Sequence, residues 1–240
     1  MENVKYTVLF ILSAFLFLTS TAQAQIKKGF TMGIKGGVNL TKLTMGEVLG
    51  TRYDANGNPY LSYNGQEVRD QLKESFDSKN GYSGGIYMRF GRNLFIQPEI
   101  LVSTKGGAFD IVQTNANGTT ETNNINFKFS TIDVPILFGV KGGPLRLSAG
   151  PAAYFKIKDN QKLGEAIKYY TSNGDHFSEA VYGYQLGVGL DIFGLSVDVR
   201  KEGSFSDITS FQVHTGGANP MTQVGQKLNS WQVTIGIKLI

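Results

Sequence analysis

Ser230-Trp231-Gln232-Val233-Thr234-Ile235-Gly236-Ile237-Lys238-Leu239-Ile240 alternates apolar and polar residues with a period of two. In an extended strand, Trp231, Val233, Ile235, Ile237 and Leu239 line one face, and Gln232, Thr234, Gly236 and Lys238 line the other. With no later strand or helix to cover it, the apolar face is expected to meet lipid. A strand can cross lipid only where every backbone group is paired, which a closed transmembrane β-barrel achieves.

Seven other stretches repeat the pattern: Gly29 to Leu40, Tyr82 to Phe90, Leu94 to Thr104, Thr131 to Lys141, Leu145 to Lys156, Tyr182 to Ile192 and Leu195 to Lys201. Tyr182, Tyr184, Leu186, Val188, Leu190 and Ile192 facing away from Gly183, Gln185, Gly187, Gly189 and Asp191 is the cleanest case. One face of the set is almost free of charge. The other carries Lys35, Arg89, Glu99, Asp133, Lys141, Arg146, Asp191, Asp198, Arg200 and Lys238 among many glycines.

A soluble barrel would show the same alternation with its apolar face turned inward. Connection lengths decide between the two. Gly91-Arg92-Asn93, Gly142-Gly143-Pro144 and the residues around Phe193-Gly194 make short turns, whereas 41–81, 105–130, 157–181 and 202–229 are long. Short turns on one side, long loops on the other and an even strand number are the pattern of outer-membrane barrels. The expected fold is therefore all-β: an eight-stranded antiparallel up-and-down transmembrane β-barrel with four long extracellular loops and short periplasmic turns. The competing reading is a soluble periplasmic lipocalin-like barrel binding an apolar ligand.

Residues 1–24 read as a cleaved export signal: Lys5, an apolar run from Val8 to Leu18, then Ala22-Gln23-Ala24 as a small-residue cleavage site. That leaves 25–240 as one barrel domain, with no linker or charge block to divide it. The sequence holds no Cys, so neither a lipid-anchored Cys nor a disulfide framework is available. Only 18% of residues are charged and 30 are Gly, a composition that suits close-packed strands better than a helical enzyme.

Gln97-Pro98-Glu99-Ile100-Leu101 followed by Lys105-Gly106-Gly107, then Ile132-Asp133-Val134-Pro135-Ile136-Leu137, Ala149-Gly150-Pro151 and Val199-Arg200 occur in order along the chain. Together they resemble the PorT-like outer-membrane β-barrel family of Gram-negative bacteria, from about Gly33 to the C-terminus. The resemblance implies an outer-membrane location after export. The family's founding member is linked to protein secretion, but that role does not carry over from the barrel motifs; the expected function is a structural or interaction role carried by the extracellular loops, with an accessory of secretion as one form of it.

An eight-stranded barrel is just wide enough for side chains to fill. The charged residues of the polar face are accordingly expected to form an internal network of ion pairs and hydrogen bonds, not a pore. Pro98, Pro135 and Pro151 each remove a ladder donor and are expected at bulges or strand ends.

Chemistry-bearing motifs are sparse. His176, beside Asp175 and Ser178, and His214 lie in long loops, so a small outer-membrane enzyme is only a minor alternative and no enzyme is expected. Asp54-Ala55-Asn56-Gly57-Asn58 alternates oxygen ligands, but Gly65 stands where a calcium loop needs a bidentate Glu, so a polar turn is expected instead. Gly36-Gly37 and Gly84-Gly85 lie inside strands without the helix a phosphate loop requires. No basic stripe suits nucleic acid. Neither a cofactor nor a metal is expected. The expected partners are outer-membrane lipid and other envelope or secretion proteins, met through the loops. The first loop carries Tyr53, Tyr60, Tyr63 and a short helix expected over Gln66 to Phe76.

Overall fold

The computed structural model describes residues 29–75, 77–115, 118–159, 169–170, 176–215 and 221–240. The expected signal segment, Asp175 and Phe76 lie outside the described residues. The strands are β1 (Phe30–Thr44), β2 (Val48–Thr51), β3 (Arg69–Glu74), β4 (Lys79–Gly91), β5 (Leu94–Thr114), β6 (Thr120–Gly142), β7 (Leu145–Asp159), β8 (His176–Phe177), β9 (Ala180–Ile192), β10 (Leu195–Ser204), β11 (Thr209–His214) and β12 (Met221–Lys238).

Eight of them close a ring: β1, β4, β5, β6, β7, β9, β10 and β12 pair in that order, and β12 pairs back to β1. Every junction is antiparallel, and all but the closing β12–β1 pair join ring strands consecutive in the chain, which is the up-and-down order. The closing seam sets Ile34 against Ile237, Val38 against Val233 and Leu40 against Trp231. Closure leaves the ring no unpaired edge.

The polar face points inward. Lys35, Arg89, Gln97, Glu99, Asp133, Arg146, Asp198, Arg200, Gln232 and Thr234 are buried, while Ile34, Val102, Phe138, Leu186, Val199, Ile235 and Ile237 are exposed on the outer wall. A belt of large apolar side chains around a whole ring far exceeds the few hundred Å² that soluble monomers leave uncovered. From Trp231 to Leu239, at about 3.4 Å per residue and a tilt of about 40°, the belt spans roughly 20 Å along the ring axis, close to the ~25 Å apolar band of membrane barrels. This orientation is the opposite of the lipocalin-like alternative.

Two-residue turns close one end. Phe193-Gly194 joins β9 to β10 with both residues at positive φ, 49° and 85°, the type I′ geometry that matches strand twist. Gly143, at φ 58°, followed by Pro144 joins β6 to β7. Phe193 is fully exposed there. A bulky residue in the left-handed region costs about 1–2 kcal/mol, which the strand pairing on either side of the turn offsets.

The other end departs from expectation. The connection expected over 105–130 is mostly strand: β5 and β6 stay paired to Thr114 and Thr120, leaving a turn at 115–119. The reason is an inversion of faces. Beyond Lys105 the inward positions of this hairpin turn apolar, with Phe109, Ile111, Phe127 and Phe129 buried, and on β6 the outward positions turn polar, with Asn124, Asn126 and Lys128 exposed. An apolar outer face marks only the lipid-facing part of these strands. The helix expected over Gln66 to Phe76 is instead strand β3, whose Arg69–Lys73 segment alternates exposed and buried and pairs with β2 and β5.

The prolines make no bulges. Pairing lapses beside Pro98, between Pro135 and Leu137, and beside Pro151, then resumes in unchanged register. The one register shift of β6 against β7 lies elsewhere, at Ser130/Thr131. The ladder thus tolerates the lost donors by local gaps across three neighbouring strands.

Candidate functional site

Inside the ring the charged residues stack in three linked layers. At the turn end, Asp191 on β9 accepts from Arg89 Nη1 (2.8 Å), Lys141 Nζ (2.6 Å) and Arg146 Nε (2.8 Å). Arg89 Nε also donates to Gln97 Oε1 at 2.6 Å, and its guanidinium lies 5.1 Å from the centre of the Phe95 ring.

In the middle layer, Glu99 on β5 accepts a two-pronged bond from Arg200, Nη1 at 2.7 Å and Nη2 at 2.8 Å, and a third from Lys35 Nζ at 3.1 Å. Gln97 donates to it as well. Asp198 lies 3.5 Å from Lys35 Nζ, 3.5 Å from Arg200 Nη2 and 3.1 Å from Arg146 Nη2, which joins this layer to the first.

The third layer centres on Lys105, 3.0 Å from Asp133 and 3.1 Å from Glu202, with its ammonium 4.2 Å from the centre of the Tyr154 ring. Asp133 accepts from Ser103 and Thr131, each at 2.6 Å, and Glu202 accepts from Gln185 at 2.6 Å. Lys105, Asp133, Glu202 and Glu99 are wholly without solvent contact. Burying such charges is expensive unless each is paired and hydrogen-bonded. Here six cations (Lys35, Arg89, Lys105, Lys141, Arg146, Arg200) face five carboxylates (Glu99, Asp133, Asp191, Asp198, Glu202).

Glycines make room for the longest side chains. A Cβ on Gly187 would lie 2.7 Å from Arg200 Cγ, and one on Gly189 would lie 2.7 Å from Arg146 Nη2 and closer still to Asp198. Both glycines face inward on β9, so the guanidinium groups occupy the space that side chains there would fill.

Nine of the ten charged residues expected in this network join it. Lys238 does not: it follows the inward parity but is exposed at the turn-end rim, beyond the last layer, where water reaches it. Lys105 and Glu202 were missed. Both lie just past the expected strand ends, where outward apolar residues give out, although each continues the inward parity of its strand through Ser103 and Arg200.

Above the third layer the ring is filled by an apolar cluster including Leu43, Leu72, Phe109, Phe127, Phe129, Tyr170, Phe211 and Leu228. The long connections cover it. Asp70 of β3, fully buried, accepts Arg52 Nε and Nη2, both at 2.6 Å, the Tyr170 hydroxyl at 2.7 Å and the Thr114 backbone N–H at 2.9 Å, tying three segments together. Burial, together with donation to Asp70, pushes the Tyr170 hydroxyl up to about 12. Asp54 does form a polar turn, accepting the backbone N–H groups of Asn56 and Asn58 at 2.8 Å each. His214 packs its ring on Tyr53, with centroids 5.0 Å apart. At the tip of the first connection, Tyr60 is half-exposed and Tyr63 is 87% exposed.

A family model described as "Outer membrane protein beta-barrel domain" matches residues 21–210. A search of the curated proteins finds no match. Among solved structures, the chain is similar to the outer membrane protein OprG from Pseudomonas aeruginosa, at 8% identity over 88% of this chain and 96% of that one, with a TM-score of 0.43. It is also similar to the outer membrane protease OmpT from Escherichia coli, at 10% identity over 89% of this chain and 97% of that one, TM-score 0.32. A Pseudomonas aeruginosa FadL homologue shares 8% identity over 88% and 90% of the two chains, TM-score 0.26. Likenesses this distant carry no argument about what the chain does.

Proposed function

The chain belongs to the outer membrane protein β-barrel domain family, and on that footing we propose that it is a non-conducting, non-catalytic barrel of the outer membrane whose role is to bind a partner through the cap of long connections. The observation that carries this reading is the filled interior. Three layers of paired charge and an apolar cluster stand in series along the axis, and a pore would have to break both.

What remains available for function is the outer cap. Its Arg52–Asp70–Tyr170 tie holds the connections in one arrangement, and Tyr60, Leu61 and Tyr63 stand out from it. Exposed tyrosines are favoured anchors for protein partners. The finer kinship to PorT-like barrels belongs to this proposal too, since Gln97, Glu99, Asp133 and Arg200 of the resembling motifs are the network residues. An accessory role in secretion is one form of the proposed function, and normal secretion in a deletion strain would remove it.

The test has two parts. Purified protein reconstituted in planar bilayers should give no conductance steps; regular steps would overturn the closed-barrel reading. Replacing Tyr60, Leu61 and Tyr63 by Gly or Ser should abolish in-cell cross-links to envelope proteins while leaving heat-modifiable migration intact. Unchanged cross-links would overturn the assignment of partner binding to the cap.

A further inference from the structure

The turn end of the ring carries a charge imbalance that the network does not resolve. Three cations, Arg89, Lys141 and Arg146, converge on the single carboxylate of Asp191. Two adjoining depressions of about 470 and 220 Å³ open there and share Thr31, Arg89, Lys141 and Lys238 in their walls. Arg92 lines the larger one and Asp191 the smaller. Together the walls hold four cations, Arg89, Arg92, Lys141 and Lys238, against that one carboxylate, a surplus of three positive charges in a concave mouth.

A recess walled by one sign of charge focuses its field and concentrates counter-ions. The donors suit a tetrahedral oxyanion: two guanidinium forks, two ammonium groups and the Thr31 hydroxyl, with the Asn93 amide in the wall of the larger recess. Asp191 engages both its oxygens, Oδ2 with Arg89 and Lys141 and Oδ1 with Arg146, so it cannot also neutralise Arg92 and Lys238. A dianion would cancel most of the remaining charge.

We propose that the turn-end mouth binds a phosphate group through Arg92, Lys238, Arg89 and Lys141. The rim places two sources within reach. Leu94 stands exposed on the outer wall at this end and Phe193 on the turn beside the smaller recess, so the mouth opens at the level where acyl chains give way to headgroups. The phosphate is therefore that of an anionic lipid headgroup or of a soluble phosphate ester on the water side.

The test uses the full chain folded in zwitterionic detergent. Inorganic phosphate is titrated by calorimetry. In parallel, lipids retained from nanodiscs of mixed phosphatidylcholine and phosphatidylglycerol are identified by native mass spectrometry. The diagnostic variant is Arg92→Ala with Lys238→Ala; both residues are exposed and neither touches Asp191, so the network survives. Lys128→Ala with Lys227→Ala, at the opposite end, is the charge-matched control.

Phosphate binding that weakens at least tenfold in the diagnostic variant and not in the control supports the site with a soluble source. Selective retention of phosphatidylglycerol, lost only in the diagnostic variant, supports it with a lipid source. Absence of both, or equal losses in the two variants, or no loss in the diagnostic variant, overturns it.

Discussion

Replacing Glu99 by Gln should be the most damaging isosteric change in the ring. Glu99 has no solvent contact and accepts two bonds from Arg200 and one from Lys35. Without its charge, Lys35 and Arg200 must share Asp198, 3.5 Å from each, which already holds Arg146 at 3.1 Å. Three cations would then press on one carboxylate. Breaking a buried pair on one side costs about 3–5 kcal/mol, and because two cations lose their partner here we expect about 4 kcal/mol. Arg200→Met leaves Glu99 with Lys35 and Gln97 and should cost about 3 kcal/mol. In the double variant Lys35 keeps Asp198, so the total should stay near 4 kcal/mol, well below the sum of about 7, a coupling of about 3 kcal/mol. The assay is urea unfolding in lipid vesicles followed by Trp231, the only tryptophan in the sequence. Additivity within about 0.5 kcal/mol would refute the reasoning, because it would mean that the two residues do not act as one unit.

Four further outcomes follow from the same geometry. Gly189→Ala puts a methyl against Arg146 and Asp198 and should cost about 1–3 kcal/mol, whereas Gly36→Ala, whose Cβ would sit 3.6 Å from its nearest neighbour, should be neutral within about 0.5 kcal/mol; equal effects in urea unfolding would contradict the inward packing. Asp70→Ala removes the shared acceptor of Arg52, the Tyr170 hydroxyl and the Thr114 N–H, so proteolysis of the cap should accelerate while heat-modifiable migration of the ring persists. The Tyr170 hydroxyl is raised on folding, so the stability of its protonated form is fully present below about pH 10 and is lost as pH rises from there to about 12; the difference in tyrosinate absorbance between the native chain and Tyr170→Phe should appear only near the top of that window. Trp231 faces outward, half-exposed, with the Lys201 ammonium 5.0 Å from the centre of its ring, so brominated acyl chains should quench it strongly; no quenching would place the outer wall in water.

The lipid-facing wall was legible because lipid imposes a simple rule. An outer face that must be apolar and an inner face that need not be produce alternation in every strand, and Trp231 to Leu239 or Tyr182 to Ile192 show it without interruption. The same rule concealed the cap. Above Lys105 the core moves inside the hairpin and water takes the outer face of β6, so Phe109 and Phe127 belong to the opposite parity from Ile96 and Val102. The outward apolar residues give out at Val102 on β5 and Val199 on β10, so Lys105 and Glu202 lie beyond the alternation that marks these strands. Strand β3 was unreadable for a different reason: Arg69-Asp70-Gln71-Leu72-Lys73 has no apolar stripe of its own, and its structure comes from pairing with β2 and β5 and from the buried Asp70. The turns were transparent, since Gly142-Gly143-Pro144 and Phe193-Gly194 bring their backbone requirements with them.

The apolar cluster under the cap also bears on the order of assembly. Leu43 and Leu228 belong to it, and they face each other across the β1–β12 seam, where the earliest and latest ring strands meet. Just inside, Thr41 and Ser230 are bonded at 3.1 Å, and Gln232 donates to Asn39 at 3.1 Å. These contacts join parts of the chain nearly two hundred residues apart, so loop-closure entropy defers them to late in folding. An open sheet leaves the two halves of the seam apart and cannot complete the floor on which the cap rests. Protection of the outer connections from protease therefore serves as a clock for the moment the cylinder seals.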